Sequence, residues 1–414
     1  MKILALNCGS SSVKYQLFDW ENKEVVAKGV VERVGIGDSF IVHEVPKRDT
    51  YRDEYECHDH NTAINLIVHT LESGDFGVIE KMSEISAVGH RVVHGGEKFK
   101  KSVMIDDDVI KAIEEVQHLA PLHNPPNLAG IRAAKEILPD VPHVAIFDTA
   151  FHQSMPKHAY VYAVPYEWYE QYGVRRYGFH GTSHLYVSKR AAALLKKDAK
   201  DCNIITMHIG NGVSHTAIKN GKSIDTSMGL TPLEGAVMGT RCGDLDPAIP
   251  LFMQQKLNTG PKEMDNMLNK KSGILGITGK FTDRRDVLEC SKTDERCELA
   301  IEIEAYRLKK YIGSYYAVLG RVDAIVFTAG VGENAGIIRQ KALEGLEELG
   351  IKIDKEKNLK TFSKSGETEI STPDSKVKVF VIPTNEELVF VEDVVAILQN
   401  SYSDHTEYPY SFLK

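Results

Sequence analysis

Ile3-Leu4-Ala5-Leu6-Asn7-Cys8-Gly9-Ser10-Ser11-Ser12-Val13-Lys14-Tyr15-Gln16-Leu17-Phe18 runs an apolar segment into a polar turn and leaves along a second segment. The pattern predicts two strands joined near Gly9, whose missing Cβ permits a tight turn. Ser10, Ser11 and Ser12 crowd hydroxyls and backbone N–H groups onto the turn, and Lys14 adds a cation. Such a hairpin can hold an anion, most simply a phosphate. It does not fit G-x-x-x-x-G-K-[ST], and a strand rather than a helix follows it. Taken alone, a Gly/Ser-rich hairpin is more often just a turn, so the rest of the chain decides.

The pattern recurs at Asn203-Ile204-Ile205-Thr206-Met207-His208-Ile209-Gly210-Asn211-Gly212-Val213-Ser214-His215-Thr216-Ala217-Ile218. In an overlay His208 falls on Asn7, Gly210 on Gly9, Asn211 on Ser10 and Ile218 on Leu17. Asn220-Gly221 then predicts a hairpin into Lys222–Asp225. A repeat at about half the chain length predicts two similar α/β domains facing each other, each with one phosphate-holding hairpin. A third glycine-rich turn follows the apolar run 324–328 at Ala329-Gly330-Val331-Gly332-Glu333-Asn334, with a helix expected from Gly336. Strand, glycine turn and helix N-terminus suit a nucleotide, because exposed N–H groups and small residues admit it closely.

Between these pieces strands alternate with helices, as in an α/β fold. Strands are expected at 25–34, 86–93, 143–147 and 377–382. Helices are expected at 61–71, 106–118, 127–138, 185–197, 298–319 and 386–398. The stretch 160–177 reads as an aromatic loop, and the domain boundary is placed near Thr149–Phe151. The polar end 401–414 has no periodicity and is expected to be mobile or an appendage.

A chain of 414 residues is expected to form about two domains. Its net charge of −8 argues against a nucleic-acid-binding surface, which needs clustered Lys and Arg. The six cysteines are scattered without a C-x-x-C pair, which reads as a reduced, cytoplasmic protein with no disulfide frame or structural zinc. Neither a signal peptide nor a membrane span is expected.

In order along the chain stand Asn7–Lys14, Gly89-His90-Arg91-Val92-Val93-His94-Gly95-Gly96, Ala120-Pro121-Leu122-His123-Asn124-Pro125 and Asp148-Thr149-Ala150-Phe151-His152. Arg176-Tyr177-Gly178-Phe179-His180-Gly181-Thr182-Ser183-His184, Thr240-Arg241-Cys242-Gly243-Asp244-Leu245-Asp246-Pro247 and Ala329–Asn334 follow. Together they closely resemble the acetokinase family, within the actin-like sugar-kinase/Hsp70 ATPase superfamily, over about residues 1–400. The resemblance implies two duplicated actin-like (ribonuclease H-like) α/β domains with an active-site cleft between them. The first would be 1–150 plus about 385–400, and the second 151–384. It also implies reversible transfer of the ATP γ-phosphoryl group to acetate, Mg²⁺ (with Mn²⁺ possible), and a homodimer built through the second domain.

The chemistry accords with the residue types. Acetate, with a pKa of roughly 4, is already ionised at neutral pH and needs no general base. The task is to bring two anions together and neutralise the moving phosphoryl group, which calls for positioning and electrostatics. The resemblance makes Arg91 the clamp for the acetate carboxylate and Arg241 the brace on phosphoryl oxygens; a guanidinium fork suits both. His180 would donate to the transferring group, with His123 in support. Asp148 matches the family's acid/base position, and ordering Arg91 or a Mg²⁺-bound water is the role favoured here. Asn7 and Glu386 match Mg²⁺ positions, with Glu387 as the fallback. Ser10, Ser12, Lys14, His208, Ile209, Gly210, Asn211 and Gly212 would face phosphates. Asp283, Arg284, Arg285, Gly330, Val331, Gly332, Glu333 and Asn334 would frame adenosine. Val93, Leu122, Phe179 and Pro232 match the apolar pocket for the acetate methyl.

Three residues depart from the family pattern. Val213 and His215 replace the usual Ala and aliphatic residue, and Cys242 stands where Ser is common. His215 is expected to face solvent, and Cys242 to make the site sensitive to oxidation. The runner-up activity is a propionate or other short-chain carboxylate kinase, because one methylene is weakly discriminated. A non-catalytic nucleotide switch fits less well, since a switch has no use for clamping a second anion.

Overall fold

The computed structural model describes residues 1–413. They fall into two units: Met1–Phe151 with Asn385–Ser411, and His152–Thr384 with the short end from Phe412. In the first unit the strands are β1 (Lys2–Cys8), β2 (Ser12–Asp19), β3 (Glu24–Glu32), β4 (Phe40–Glu44), β5 (Tyr51–Glu54), β6 (Ile85–Val92), β7 (Val103–Met104) and β8 (His143–Phe147). They form one sheet in the order β5-β4-β3-β2-β1-β6-β8-β7. The hairpin at the N-terminus pairs Asn7 with Lys14 and Cys8 with Val13, and the Gly9 N–H closes the turn onto Ser12 O at 2.8 Å.

β1 is apolar throughout because both of its faces are covered. Leu4 and Leu6 point to a core shared with Ile64, Ile67 and Leu71 of the helix His60–Glu72 and with Ala133 and Ala134 of the helix Asn124–Ile137. Ile3 and Ala5, one residue out of phase, meet Phe390, Val391, Val394 and Val395 of the helix Glu386–Leu398. That second contact draws the last helix back into the first unit. The helix at 124–137 starts three residues earlier than its periodicity suggests. Pro125 and Pro126 occupy its first turn, where no N–H is needed.

The second unit has β9 (Asn203–Ile209), β10 (Val213–Lys219), β11 (Lys222–Thr226), β12 (Ala324–Thr328), β13 (Thr368–Glu369) and β14 (Lys378–Val381), in the order β11-β10-β9-β12-β14-β13. Three antiparallel strands followed by two parallel ones, β11-β10-β9-β12-β14, repeat the order and sense of β3-β2-β1-β6-β8. Both units are therefore mixed α/β folds of one plan.

Several expectations are corrected. His215 does not face solvent: it is 0% exposed on β10, a strand buried on both faces. The aromatic stretch contains a short helix, Tyr166–Tyr172. The glycine-rich turn after β12 is itself helical, Ala329–Asn334, and is entered through Ala329 at φ +65°. The C-terminal residues are packed rather than loose. Tyr410 is buried and donates to Asp393 Oδ1 at 2.6 Å, and the Ser411 N–H donates to Glu392 Oε2 at 2.7 Å. Cys290 and Cys297, expected to be free, form a disulfide across the turn between the helices Arg284–Cys290 and Glu295–Leu319, their Cα atoms 5.8 Å apart. Spacing along the sequence did not reveal that a turn brings them face to face. Among the described residues no helix is long and apolar enough to cross a membrane.

Candidate active site

In the first unit, Asn7, Arg91 and Asp148 lie within one residue of the C-terminal ends of the parallel strands β1, β6 and β8, the edge at which α/β folds collect chemistry. Arg91 Nε donates to Asp148 Oδ1 at 3.0 Å and Nη2 to Oδ2 at 2.6 Å, a two-pronged fork. Asp148 is 1% exposed, whereas a quarter of the Arg91 side chain reaches solvent. Burial pulls the Arg91 guanidinium down, but Asp148, Glu386 and Glu387 outweigh it and hold it above its ordinary value. One cavity of about 440 Å³ gathers Asn7, Lys14, Arg91, Glu386 and Glu387. Ser10 and Ser12 do not line it. Glu386 and Glu387 open the helix Glu386–Leu398, whose N-cap Asn385 accepts from the Leu388 N–H at 3.1 Å.

The loop after β6 is pinned by amide side chains. Asn127 Oδ1 accepts from the Val93 N–H at 3.0 Å, and Asn127 Nδ2 reaches Cys8 O at 2.7 Å. Asn124 binds both backbone groups of His94. Val93 is thereby buried beside the hairpin, while Leu122, in the turn before the helix, is 59% exposed. His123 caps that helix, its N–H donating to Ala120 O. Val93 and Leu122 belong to the first unit, Phe179 (buried) and Pro232 (partly exposed) to the second.

In the second unit β9 and β10 turn at Gly210–Gly212, the Gly210 N–H donating to Gly212 O at 3.0 Å. Asn211 O accepts from the Gly239 N–H at 2.9 Å, and a Cβ on Gly239 would lie 1.8 Å from Asn211 Oδ1, so a larger residue there would displace the Asn211 side chain. His180 has φ +56° at the start of the helix Gly181–Leu194, a strained conformation for a residue with a Cβ. Its ring stacks on His208 with centroids 4.1 Å apart, and its Nδ1 lies 2.8 Å from Ser214 Oγ. Ser214 Oγ also lies 2.7 Å from His184 Nε2, and His184 Nδ1 lies 2.7 Å from Thr206 Oγ1. Ser183 Oγ meets His208 Nδ1 at 2.8 Å. Ser214 and His184 were not singled out for the site; both lie in stretches the sequence marks, but the hydrogen bonds that join them to His180 appear only in the fold.

Arg241 reaches the same spot. A Cβ on Gly212 would stand 3.4 Å from His180 Cε1 and 3.5 Å from Arg241 Nη1, so the bare glycine leaves both groups converging on one small volume. Arg241 donates to Pro232 O at 3.0 Å and, among the described residues, makes no ion pair. Burial pulls its guanidinium below the ordinary value. A mostly covered cation without a counter-charge is ready for an anionic ligand. Neighbouring Cys242 lies partly buried with Sγ donating to Gly243 O, and burial pushes its thiol up to about 11, which disfavours the thiolate that oxidation needs. His215 has neither ring nitrogen hydrogen-bonded, and burial brings it down to about 3.

A larger cavity of about 810 Å³ opens from Gly210 and Asn211 past Asp283, Arg284 and Arg285 to Gly330, Val331 and Asn334. Arg285 forks onto Asp283 at 3.0 and 2.5 Å and holds that carboxyl down to about 2. Arg284 is buried and forked onto Glu304 at 3.1 and 2.7 Å. Glu333 turns inward, accepting from the Ala329 N–H at 2.8 Å, and burial raises its carboxyl. Ile209, Gly332, His208 and Gly212 do not line it. Leu288 and Phe362 also line it, and no sequence motif marked them.

The acetokinase family model matches residues 2–392. The acetate kinase of Geobacter metallireducens is 71% identical over all of this chain and 99% of its own length. A crystal structure of Porphyromonas gingivalis acetate kinase superposes with a TM-score of 0.93 at 46% identity, covering 96% of this chain and 99% of that one. A propionate kinase from Francisella tularensis superposes at 0.88 with 42% identity, covering 95% and 98%. Two mixed α/β units of one plan, with the ordered motifs at their strand ends and matches across nearly the whole length, place this chain in the acetokinase family.

Proposed function

We propose that the chain transfers the γ-phosphoryl group of ATP to acetate, forming acetyl phosphate and ADP, and runs readily in reverse. An acetate oxygen attacks the γ-phosphorus, the bond from that phosphorus to the β–γ bridging oxygen breaks, and ADP leaves with the electron pair. The observation that carries this reading is the Arg241 guanidinium, without an anionic partner, converging with His180 on Gly212. Two positive or donor groups aimed at one point suit a phosphoryl group whose charge is spread over three oxygens. Arg91 and Lys14 share the first-unit cavity and suit the acetate carboxylate and the donor phosphates, respectively.

Asp148 orients Arg91 and partly neutralises it, so that acetate is held without being locked in place. No proton needs to leave acetate, and a base has nothing to remove. Asn7, Glu386 and Glu387 offer hard oxygen donors in the same cavity, which fits Mg²⁺ (or Mn²⁺). A bound ion there supplies charge neutralisation for the phosphates. With ATP as donor, the cytoplasm is the compartment. The helix Ala248–Leu257 leaves Ile249, Leu251, Phe252 and Leu257 exposed on the second unit, which supports a homodimer formed there.

The propionate kinase among the similar structures favours propionate as the second candidate acceptor. A hydroxamate assay with ATP and acetate, propionate or butyrate separates them. Acetate giving the highest kcat/KM supports the reading, propionate exceeding it shifts the substrate, and no acyl phosphate from any acid removes the kinase reading.

A further inference from the structure

Resting on ATP as the donor, we infer that Phe362 is the platform on which the purine ring stacks, and that Asn334 and Arg339 are positioning residues that hold it there. The lining of the second-unit cavity combines polar Asn211 and the charged run 283–285 with apolar Leu288, Val331, Ala335 and Phe362. Phe362 is 45% exposed and, among the described residues, is the only aromatic side chain on that lining. A large apolar ring kept half in solvent on the lining of a cavity that also holds the glycine turn suited to phosphates is placed for a flat aromatic ligand.

The backing of Phe362 is more elaborate than a surface loop needs. Asn334 Nδ2 donates to Gly330 O at 2.9 Å, while its Oδ1 accepts from both the N–H and the hydroxyl of Ser363, each at 3.1 Å. Both oxygen lone pairs are therefore used on the residue next to Phe362, not on a ligand. Arg339 is 0% exposed and, among the described residues, has no carboxylate partner. Its five N–H groups go to Asn358 Oδ1 (2.8 Å), Gly332 O (2.8 Å), Glu333 O (2.9 Å), Asn358 O (2.7 Å) and Thr361 O (2.9 Å). The guanidinium thus ties the glycine-rich helix Ala329–Asn334 to the backbone that runs into Phe362, both of which contribute to the cavity lining. Burying a cation on carbonyl oxygens alone is a costly way to fix a loop, and it holds one geometry. The Phe362 N–H is itself tied to Ser365 Oγ at 3.1 Å.

The test is equilibrium binding of ADP and of inorganic tripolyphosphate, which has no base, to the full chain and its variants. Phe362→Ala is expected to weaken ADP about tenfold and leave tripolyphosphate unchanged, and Phe362→Tyr to restore ADP binding. Asn334→Ala is expected to weaken ADP severalfold, and the double variant to be no weaker than Phe362→Ala alone, because Asn334 works through the ring. ADP affinity undiminished in Phe362→Ala, or an equal loss for both ligands, overturns the inference while leaving ATP as donor. No ADP binding by the unaltered chain overturns the donor reading and the inference with it.

Discussion

Arg91 and Asp148 are locked side by side, with the guanidinium forked onto the carboxylate through contacts of 3.0 and 2.6 Å. The carboxylate is buried, whereas a quarter of the Arg91 side chain reaches solvent. That asymmetry makes Asp148 an orienting group. Asp148→Asn keeps the shape and removes the charge, so Arg91 should lose its aim. KM for acetate should rise about tenfold or more while KM for ATP stays within twofold. Steady-state kinetics in both substrates checks this, and a kcat that falls with acetate KM unchanged would instead mark a proton-transfer role.

Arg241 has one side-chain hydrogen bond to a carbonyl and a contact with Met238 sulfur at 3.5 Å. Its removal should cost the fold little and the reaction much. Arg241→Ala should lower kcat by about a hundredfold or more, with the thermal midpoint almost unchanged. Calorimetry beside single-turnover measurement separates the two effects.

Ser214 is 0% exposed, and its hydroxyl bridges His180 Nδ1 and His184 Nε2. With one proton, it donates to one ring and accepts from the other. Ser214→Ala should release the Nδ1 side of His180 and lower kcat about tenfold, with ATP affinity retained. Ser214→Thr, which keeps the hydroxyl, should recover most of the rate.

His215 combines full burial, a ring against Tyr311 at 5.1 Å and two unbonded nitrogens. Its folded value, about 3, lies below the ordinary 6.5. Between those values the unfolded chain binds the proton and the folded chain does not. The stability tied to a neutral His215 is therefore full above pH 6.5 and is lost as pH falls from 6.5 toward 3. His215→Leu removes that loss and the unbonded polar atoms. It should raise stability by about 1 kcal/mol at pH 7 and by more at pH 5, read as urea midpoints at the two pH values.

The N-terminal hairpin and its counterpart at Asn203–Ile218 were legible because an apolar strand, a glycine turn and a second strand are local signals. Arg91 and Arg241, the arginines proposed to act in the reaction, were legible only through their flanking motifs. The strands Phe40–Glu44 and Tyr51–Glu54 were not, since both are short, and the second is polar, largely exposed and at the edge of the sheet. His215 was misread because burial of both faces of β10 comes from distant elements such as the helix Glu295–Leu319, which alternation along one strand does not reveal. Phe362 and Arg339 carry no motif, and their pairing depends on segments some twenty residues apart meeting in the fold.

The central claim is that an acetate oxygen attacks phosphorus directly. Incubating the protein with Mg²⁺, ATP and acetate labelled with oxygen-18 in its carboxylate, and following phosphorus NMR, tests it in one experiment. The account predicts acetyl phosphate whose phosphorus resonance carries the isotope shift of a bridging oxygen-18, formed one-for-one with ADP. Acetyl phosphate without that shift, or ATP consumed with no acetyl phosphate, would contradict it.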